Sequence, residues 1–181
     1  VERNTDLEAW IEDQIENACD FYLRERDARG WYGLFNYGDF MHTYQAERHQ
    51  WRYDVGGYAW DNTELAPTYW LWLQAVRTGK ENIYSLAEAL SRHAADVDMY
   101  HLGKLKGLGS RHNVRHWGCS CKEPRVSMAG HHRPLYYLAG DRRIGDCMED
   151  ALNAEFALES TGYYPQENGE IRLRTGPDWS S

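Results

Sequence analysis

Apolar side chains along this chain recur mainly at intervals of three and four, the period of a helix with one face turned to a core. Leu7, Trp10, Ile11, Ile15, Ala18 and Tyr22 share the first such face, and Gly30 closes the segment. Thr5-Asp6-Leu7-Glu8 precedes it as a capping box, in which hydroxyl and carboxylate satisfy orphan N–H groups reciprocally. A second helix is expected from the cap-like Asp61-Asn62-Thr63-Glu64 through Leu65, Tyr69, Trp72, Leu73 and Val76 to Gly79, with Pro67 tolerated in its first turn. Ile83, Leu86, Ala87, Leu90, Ala94 and Val97 mark a third. A fourth follows Pro124, with Val126, Ala129, Tyr136 and Tyr137 on its apolar side, and stops at Gly140. The fifth carries Ile144, Met148, Ala151 and Leu152, with Phe156 and Leu158 near its end. Strand alternation is absent except for a short hairpin between Trp31 and Tyr53.

Two pairs of these helices are alike. YWLWLQAVRTGKENIYSLAEAL and HRPLYYLAGDRRIGDCMEDAL both read as helix, short glycine turn, helix, and repeated helical hairpins are themselves a fold signature. The short links at Gly79 and Gly140 imply antiparallel neighbours. The remaining links, residues 26–60, 99–122 and 160 onward, are long. Strict alternation of direction would place all the long links at one end and all the short ones at the other. Long loops without secondary structure of their own are functional or disordered, and these are too rich in Trp, Tyr, His, Arg and Asn for disorder. One end of the domain is therefore expected to be a binding face.

Composition adds constraints. The chain has 181 residues, 42% of them apolar, which suits one domain with a real core. A net charge of −8 argues against nucleic acid as a partner, because phosphate recognition needs a basic footprint. No apolar run approaches the ~20 residues of a membrane span. Eight Trp and thirteen Tyr against four Phe favour wet, amphipathic contact surfaces. Arginine outnumbers lysine sixteen to four, which either reflects genomic composition or serves bidentate carboxylate recognition. Four cysteines do not make a disulfide scaffold in a chain of this length, and Cys19 and Cys147, in helix-like runs, read as buried thiols. The chain opens on Val1 and stops at GPDWSS, so it reads as a single partial domain, 1–181, of a larger protein. Five helices cut from a ring would expose apolar flanks, and such a piece alone is expected to be inactive.

The long loops carry the chemistry. GWYGLFNYGDFMHTYQAERHQWRYDVGGYAWDN offers Trp31, Tyr32, Trp51, Tyr53, Tyr58 and Trp60 as aromatic platforms, with Asn36, His42, Arg52, Asp54 and Asn62 among them. Any one tryptophan reads as an anchor pinning the loop; the set reads as the wall of a glycan pocket. The second loop holds GSRHNVRHWGCSC. A zinc reading would use His112, His116, Cys119 and Cys121. The cysteine spacing is C-x-C, however, and Arg111 and Arg115 add positive charge beside a dication, so the metal reading is set aside. The arginines point to an anionic ligand. A carboxylate held by Arg111 or Arg52, with His112 or His116 near its ordinary pKa of about 6.5, is the equipment for removing a proton α to a carboxyl group. Tyr37 or Tyr53 could then protonate the leaving oxygen. Singly, each histidine reads as a polar tie for its loop.

The runs WYGLFNYGDFMHTY, WRYDVGGYAWDNTEL, YHLGKLKGLGSRHNVRHWGCS and GPDWSS resemble the C-terminal (α/α) toroid domain of the exo-acting rhamnogalacturonan lyases, polysaccharide lyase family 26. The resemblance covers nearly the whole chain in order. It implies an all-α fold, an incomplete (α/α)6-type toroid with aromatic-rich loops at one end. It also implies β-elimination at galacturonate in rhamnogalacturonan I, with other domains of the parent chain and an acidic polysaccharide or oligosaccharide as partners. Compartment follows only from that substrate class, which favours the cell exterior or periplasm and leaves the cytoplasm open. On this reading Arg111 meets the carboxylate, His112 or His116 is the base, and Tyr53 or Tyr37 the acid. Asn36, His42, Trp51, Arg52, Asp54, Tyr58, Trp60, Asn62, Asn113 and Trp117 would bind substrate. No cofactor is called for, although a divalent cation such as calcium stays open. Two alternatives remain: a glycoside hydrolase acting on unsaturated uronides through two of Asp39, Asp54, Asp61 and Glu64, and a non-catalytic glycan-binding module.

Overall fold

The computed structural model describes residues 3–33, 36–41, 44–51, 60, 63, 66–110, 122–154, 166–167 and 170–171. Among them are five helices: α1 (Asp6–Arg29), α2 (Pro67–Thr78), α3 (Glu81–Asp96), α4 (Ala129–Leu138) and α5 (Arg143–Leu152). Three two-residue strand pairs accompany them: β1 (Tyr44–Gln45) with β2 (Gln50–Trp51), β3 (Gly109–Ser110) with β4 (Lys122–Glu123), and β5 (Gln166–Glu167) with β6 (Glu170–Ile171). All three pairs are antiparallel. The first is the expected hairpin; the other two were not foreseen. The fold is all-α, and no helix among the described residues is long and apolar enough to cross a membrane.

The capping box of α1 forms as expected: Thr5 Oγ1 accepts from the Glu8 amide at 3.1 Å, and the Glu8 carboxylate accepts from the Thr5 amide at 3.0 Å. At the far end Gly30 adopts φ 64° and donates back to the carbonyls of Arg26 and Asp27. The apolar face does not run its full length, however. Leu7 and Trp10 are 65% and 60% exposed, and contact with the core starts only at Ile15. The reason is length. Glu12 pairs with Arg77 and Glu16 with Lys80 (3.2 Å), so the α2–α3 turn sits halfway down a helix of 24 residues. Residues 6–11 overshoot that turn by about 9 Å.

Helices α2 and α3 form the central hairpin. Leu71, Trp72 and Ala75 interlock with Ile83, Leu86, Ala87 and Leu90, all essentially removed from water. Each large side chain buried this way contributes about 1.5–3 kcal/mol. Trp72 Nε1, which would be costly to bury unpaired, donates to Ser91 Oγ at 2.8 Å. α2 begins six residues later than its cap-like sequence suggested. Pro67 disfavours helical backbone at the residue before it, and Ala66 is left-handed, with φ 53°. Thr63 is not a cap; its hydroxyl donates to the Val126 carbonyl at 2.5 Å and ties the two long links together. α4 likewise starts late, at Ala129, because Pro124–Ser127 is a separate 3-10 turn. α5 ends at Leu152, and Phe156 and Leu158 lie outside the described residues.

α4 packs on both α2 and α3, and α5 packs on α4. The second hairpin does not stand in register with the first. Asp141, in the α4–α5 turn, meets Arg92 at 2.8 Å, and Arg143 meets Asp96 at 2.6 Å. That turn therefore lies beside the last two turns of α3, while the α2–α3 turn lies beside the middle of α1. The expectation that both short turns share one end is corrected. The two long links after α1 and α3 do converge at the C-terminal end of α3.

Tyr69, Leu73, Val76, Tyr137 and Leu138 line an open apolar groove of about 340 Å³ between α2 and α4. All five side chains are exposed. Deep in α4, His132 is 1% exposed, and neither ring nitrogen has a hydrogen-bond partner among the described residues. Burial, and then the nearby His131 and His101, push its pKa down to about 4. The folded state thus holds His132 neutral where the unfolded chain would protonate it, near pH 6.5. Its contribution is present above pH 6.5 and is lost as pH falls toward 4. Urea unfolding should show roughly 3 kcal/mol lost across that window, and a His132→Phe variant should lose much less. Equal slopes in the two proteins would contradict this role for His132.

Candidate functional site

The site is built where the link after α1 turns back onto the last turns of α3. Asn36 and Tyr37 are tied back to Gly33: their amides donate to the Gly33 carbonyl, and Asn36 Oδ1 accepts from the Gly33 amide at 2.7 Å. Asn36 is half-buried, and its carbonyl oxygen is spent on the loop. Gly38 then crosses α3 with φ 89°, so close that an added Cβ would lie 2.3 Å from the Ala89 carbonyl oxygen. Only glycine permits both the backbone angle and the approach. The crossing carries Asp39 and Phe40 inward, and Phe40 stacks on Tyr22 of α1 with ring centroids 4.1 Å apart.

Asp39 meets His93 and Asp98 beneath this crossing. His93 Nε2 lies 3.4 Å from Asp39 Oδ2 and 3.5 Å from Asp98 Oδ2, and the three side chains are at most 1% exposed. His93 Nδ1 lies 3.1 Å from the Tyr37 carbonyl oxygen, which can only accept, so Nδ1 carries a proton. Burial opposes a charge on the imidazole, but Asp98 and Asp39 together outweigh it and push the pKa up to about 10. Among the described residues these three form the one cluster whose donor atoms converge closely enough to hold a metal ion.

Above the cluster a groove of about 360 Å³ opens between Tyr32 and Tyr37 on one side and Arg92, Asp96 and Val97 on the other. The two tyrosines are 54% and 45% exposed and stack at 5.7 Å and 28°. Arg26 lies over the Tyr32 ring at 5.2 Å, and the Tyr32 hydroxyl donates to Asp27, which holds the ring upright. Arg92 is braced by Glu88 and Asp141. Exposed aromatic faces beside a guanidinium and a carboxylate can stack on a sugar ring and bind its hydroxyl or acid groups.

The structure brings Tyr37 to this groove, leaves Asn36 bracing the turn beside it, and takes Trp60 away from it. Trp60 is 5% exposed, edge-on to Trp31 at 5.5 Å, in a small core with Met41. Its indole packs the loop and offers no open face to a sugar. Trp51 sits in β2 opposite Tyr44. Asp39, one candidate hydrolase carboxylate, is buried against His93. Arg111, His112, His116, Tyr53, His42, Arg52, Asp54, Tyr58, Asn62, Asn113 and Trp117 lie outside the described residues, as do Cys119, Cys121, Asp61 and Glu64. The sequence reading missed His93, Asp98 and Arg92. A signal for His93 existed: it falls three residues after Leu90 and seven after Leu86, a polar group on the apolar stripe of α3.

Antiparallel helical hairpins joined by long links are the repeating units of an (α/α) toroid. The chain belongs to the family described as the PcRGLX-like protein C-terminal alpha/alpha toroid domain, which it matches over residues 1–181. This family is related to the rhamnogalacturonan lyases. The chain is also 49% identical over 185 residues to "Uncharacterized protein YetA" of Bacillus subtilis (strain 168). That alignment covers 100% of this chain and 22% of the relative, so the chain spans about a fifth of the relative's length.

Gly38→Ala should cost about 2–4 kcal/mol in urea unfolding, because backbone meets backbone at a strained angle. Gly30→Ala, also left-handed but facing open space, should cost only about 1 kcal/mol. Equal losses at the two positions would show that the close crossing of α3 is not what Gly38 is needed for.

Proposed function

We propose that this domain forms part of the substrate face of a polysaccharide lyase that cleaves the rhamnogalacturonan I backbone at galacturonate by β-elimination. The observation that supports it is the exposed Tyr32–Tyr37 pair beside Arg92, at the meeting of two long links, in a chain of a lyase-related family. The chemistry needs three things: positive charge at the uronate carboxylate, a base at C5 and an acid at O4. The carboxylate must be met by fixed charge because the enolate-like intermediate is otherwise too costly. Arg111 takes that role, His112 or His116 removes the C5 proton, and Tyr53 or Tyr37 protonates the departing O4. Tyr32 supplies a stacking face whichever tyrosine is the acid. Of the carboxylates a hydrolase would use, Asp39 is buried against His93 and Asp54, Asp61 and Glu64 lie outside the described residues, so it is the relation of the family to lyases that favours the lyase.

Turnover decides the matter. Full-length YetA incubated with rhamnogalacturonan I should show rising ultraviolet absorbance as the new C=C forms. Alanine at the positions aligned with Arg111 or His112 should lower kcat by about a hundredfold or more. The 181-residue chain should bind the oligosaccharide without turning it over, and Tyr37→Ala should weaken that binding about tenfold. No absorbance change on this or any other uronate polymer would remove the lyase reading.

A further inference from the structure

We propose that Asp39, His93 and Asp98 form a binding site for one zinc ion, which fastens the Tyr37–Phe40 crossing to the end of α3. The inference concerns metal binding and stands apart from the reaction proposed above.

The geometry points that way. The ligand atoms come from two separate segments, the link after α1 and the last turn of α3 with its continuation, and all lie within 4.8 Å of one another. The His93 Nε2 to carboxylate distances, 3.4 and 3.5 Å, exceed the usual N–H···O range of about 2.7–3.2 Å. They match the separation of neighbouring ligands around tetrahedral zinc, where bonds of about 2.0–2.2 Å place donor atoms about 3.3–3.6 Å apart. A single Nε2–H can aim well at only one acceptor, whereas zinc entering between the three groups displaces that proton to solvent and is aimed at by all three donors. His93 is also prepared as zinc-ligating histidines usually are. Its other nitrogen donates to a backbone carbonyl, that of Tyr37, which fixes the ring and leaves Nε2 to face the carboxylates. An imidazole beside two carboxylates suits zinc better than calcium, which prefers oxygen donors throughout. The donor set shares no residue with the His112, His116, Cys119 and Cys121 combination weighed from sequence.

The test uses the 181-residue chain, stripped with chelator, dialysed against zinc chloride and analysed for bound metal. One zinc per chain is expected, with X-ray absorption showing one imidazole and oxygen donors and no sulfur. Asp98→Asn and His93→Gln should each weaken binding by about a hundredfold, while His112→Ala leaves it unchanged. Circular dichroism reports whether the variants fold; if they do not, the absorption spectrum of the unaltered chain decides alone. Failure to retain zinc, sulfur in the coordination shell, or undiminished affinity in both folded variants would each overturn the site. A negative result here leaves the lyase assay untouched, and an inactive lyase leaves zinc binding untouched.

Discussion

The loop end of this domain depends on one buried histidine between two carboxylates. Placing ionisable groups out of water is costly unless they satisfy one another, and Asp39, His93 and Asp98 do so from two parts of the chain that sequence separates by more than fifty positions. Removing His93 would leave two carboxylates buried close together without the positive charge between them. The cluster therefore positions as well as stabilises: the link after α1 reaches these partners along a path that takes Gly38 across α3. Tyr37 precedes that crossing, its carbonyl is gripped by His93, and its ring stands above in the groove. The position of an exposed aromatic platform is thus set by chemistry that no solvent reaches.

A second constraint comes from helix length. α1 is twice as long as α2. Its lower half is held by Glu12 and Glu16 against the α2–α3 turn, and its upper half by Ile15, Cys19, Tyr22 and Leu23 against the core. The ion pair of Arg77 with Glu12 is half out of water on the arginine side, so it orients more than it stabilises. The apolar upper half carries the energy. This division also explains why the start of α1 projects with Leu7 and Trp10 exposed despite a helical period that looks continuous in sequence.

Much of the helical frame was legible because it rests on local rules. Capping box, glycine stops and a three-to-four period placed α1, α3 and the two hairpin turns close to where they fall. The start of α2 was misplaced because a polar run resembling a cap was weighed above the steric veto of Pro67 on Ala66. The offset of the second hairpin was out of reach, since it depends on Arg92–Asp141 and Arg143–Asp96, pairs between helices whose sequence carries no register mark. Of the residues singled out from sequence, Tyr37 lines the groove and Asn36 braces the turn beside it; aromatic and amide residues in a long loop are conspicuous. His93 was passed over because it lies inside a well-formed helix, where polar residues are usually assigned to the solvent side. Trp60 erred the other way: tryptophan in a loop suggests a platform, yet its size makes it equally good at filling a small core, as it does with Trp31 and Met41.

The same contrast separates the two tyrosines from the tryptophans functionally. Trp31 and Trp60 close a compartment beneath the link and give it mass, whereas Tyr32 and Tyr37 stand proud of the surface and are held by polar contacts at their edges and backbone. A sugar ring stacks on a face, so a platform must be fixed without being covered. Tyr32 meets that requirement through Asp27 and Arg26, both at the end of α1, and Tyr37 through His93, near the end of α3. Each platform is thereby attached to a different helix. The spacing between them depends on where the ends of α1 and α3 lie, so the placement of those two helices and the shape of the groove are one problem in this domain.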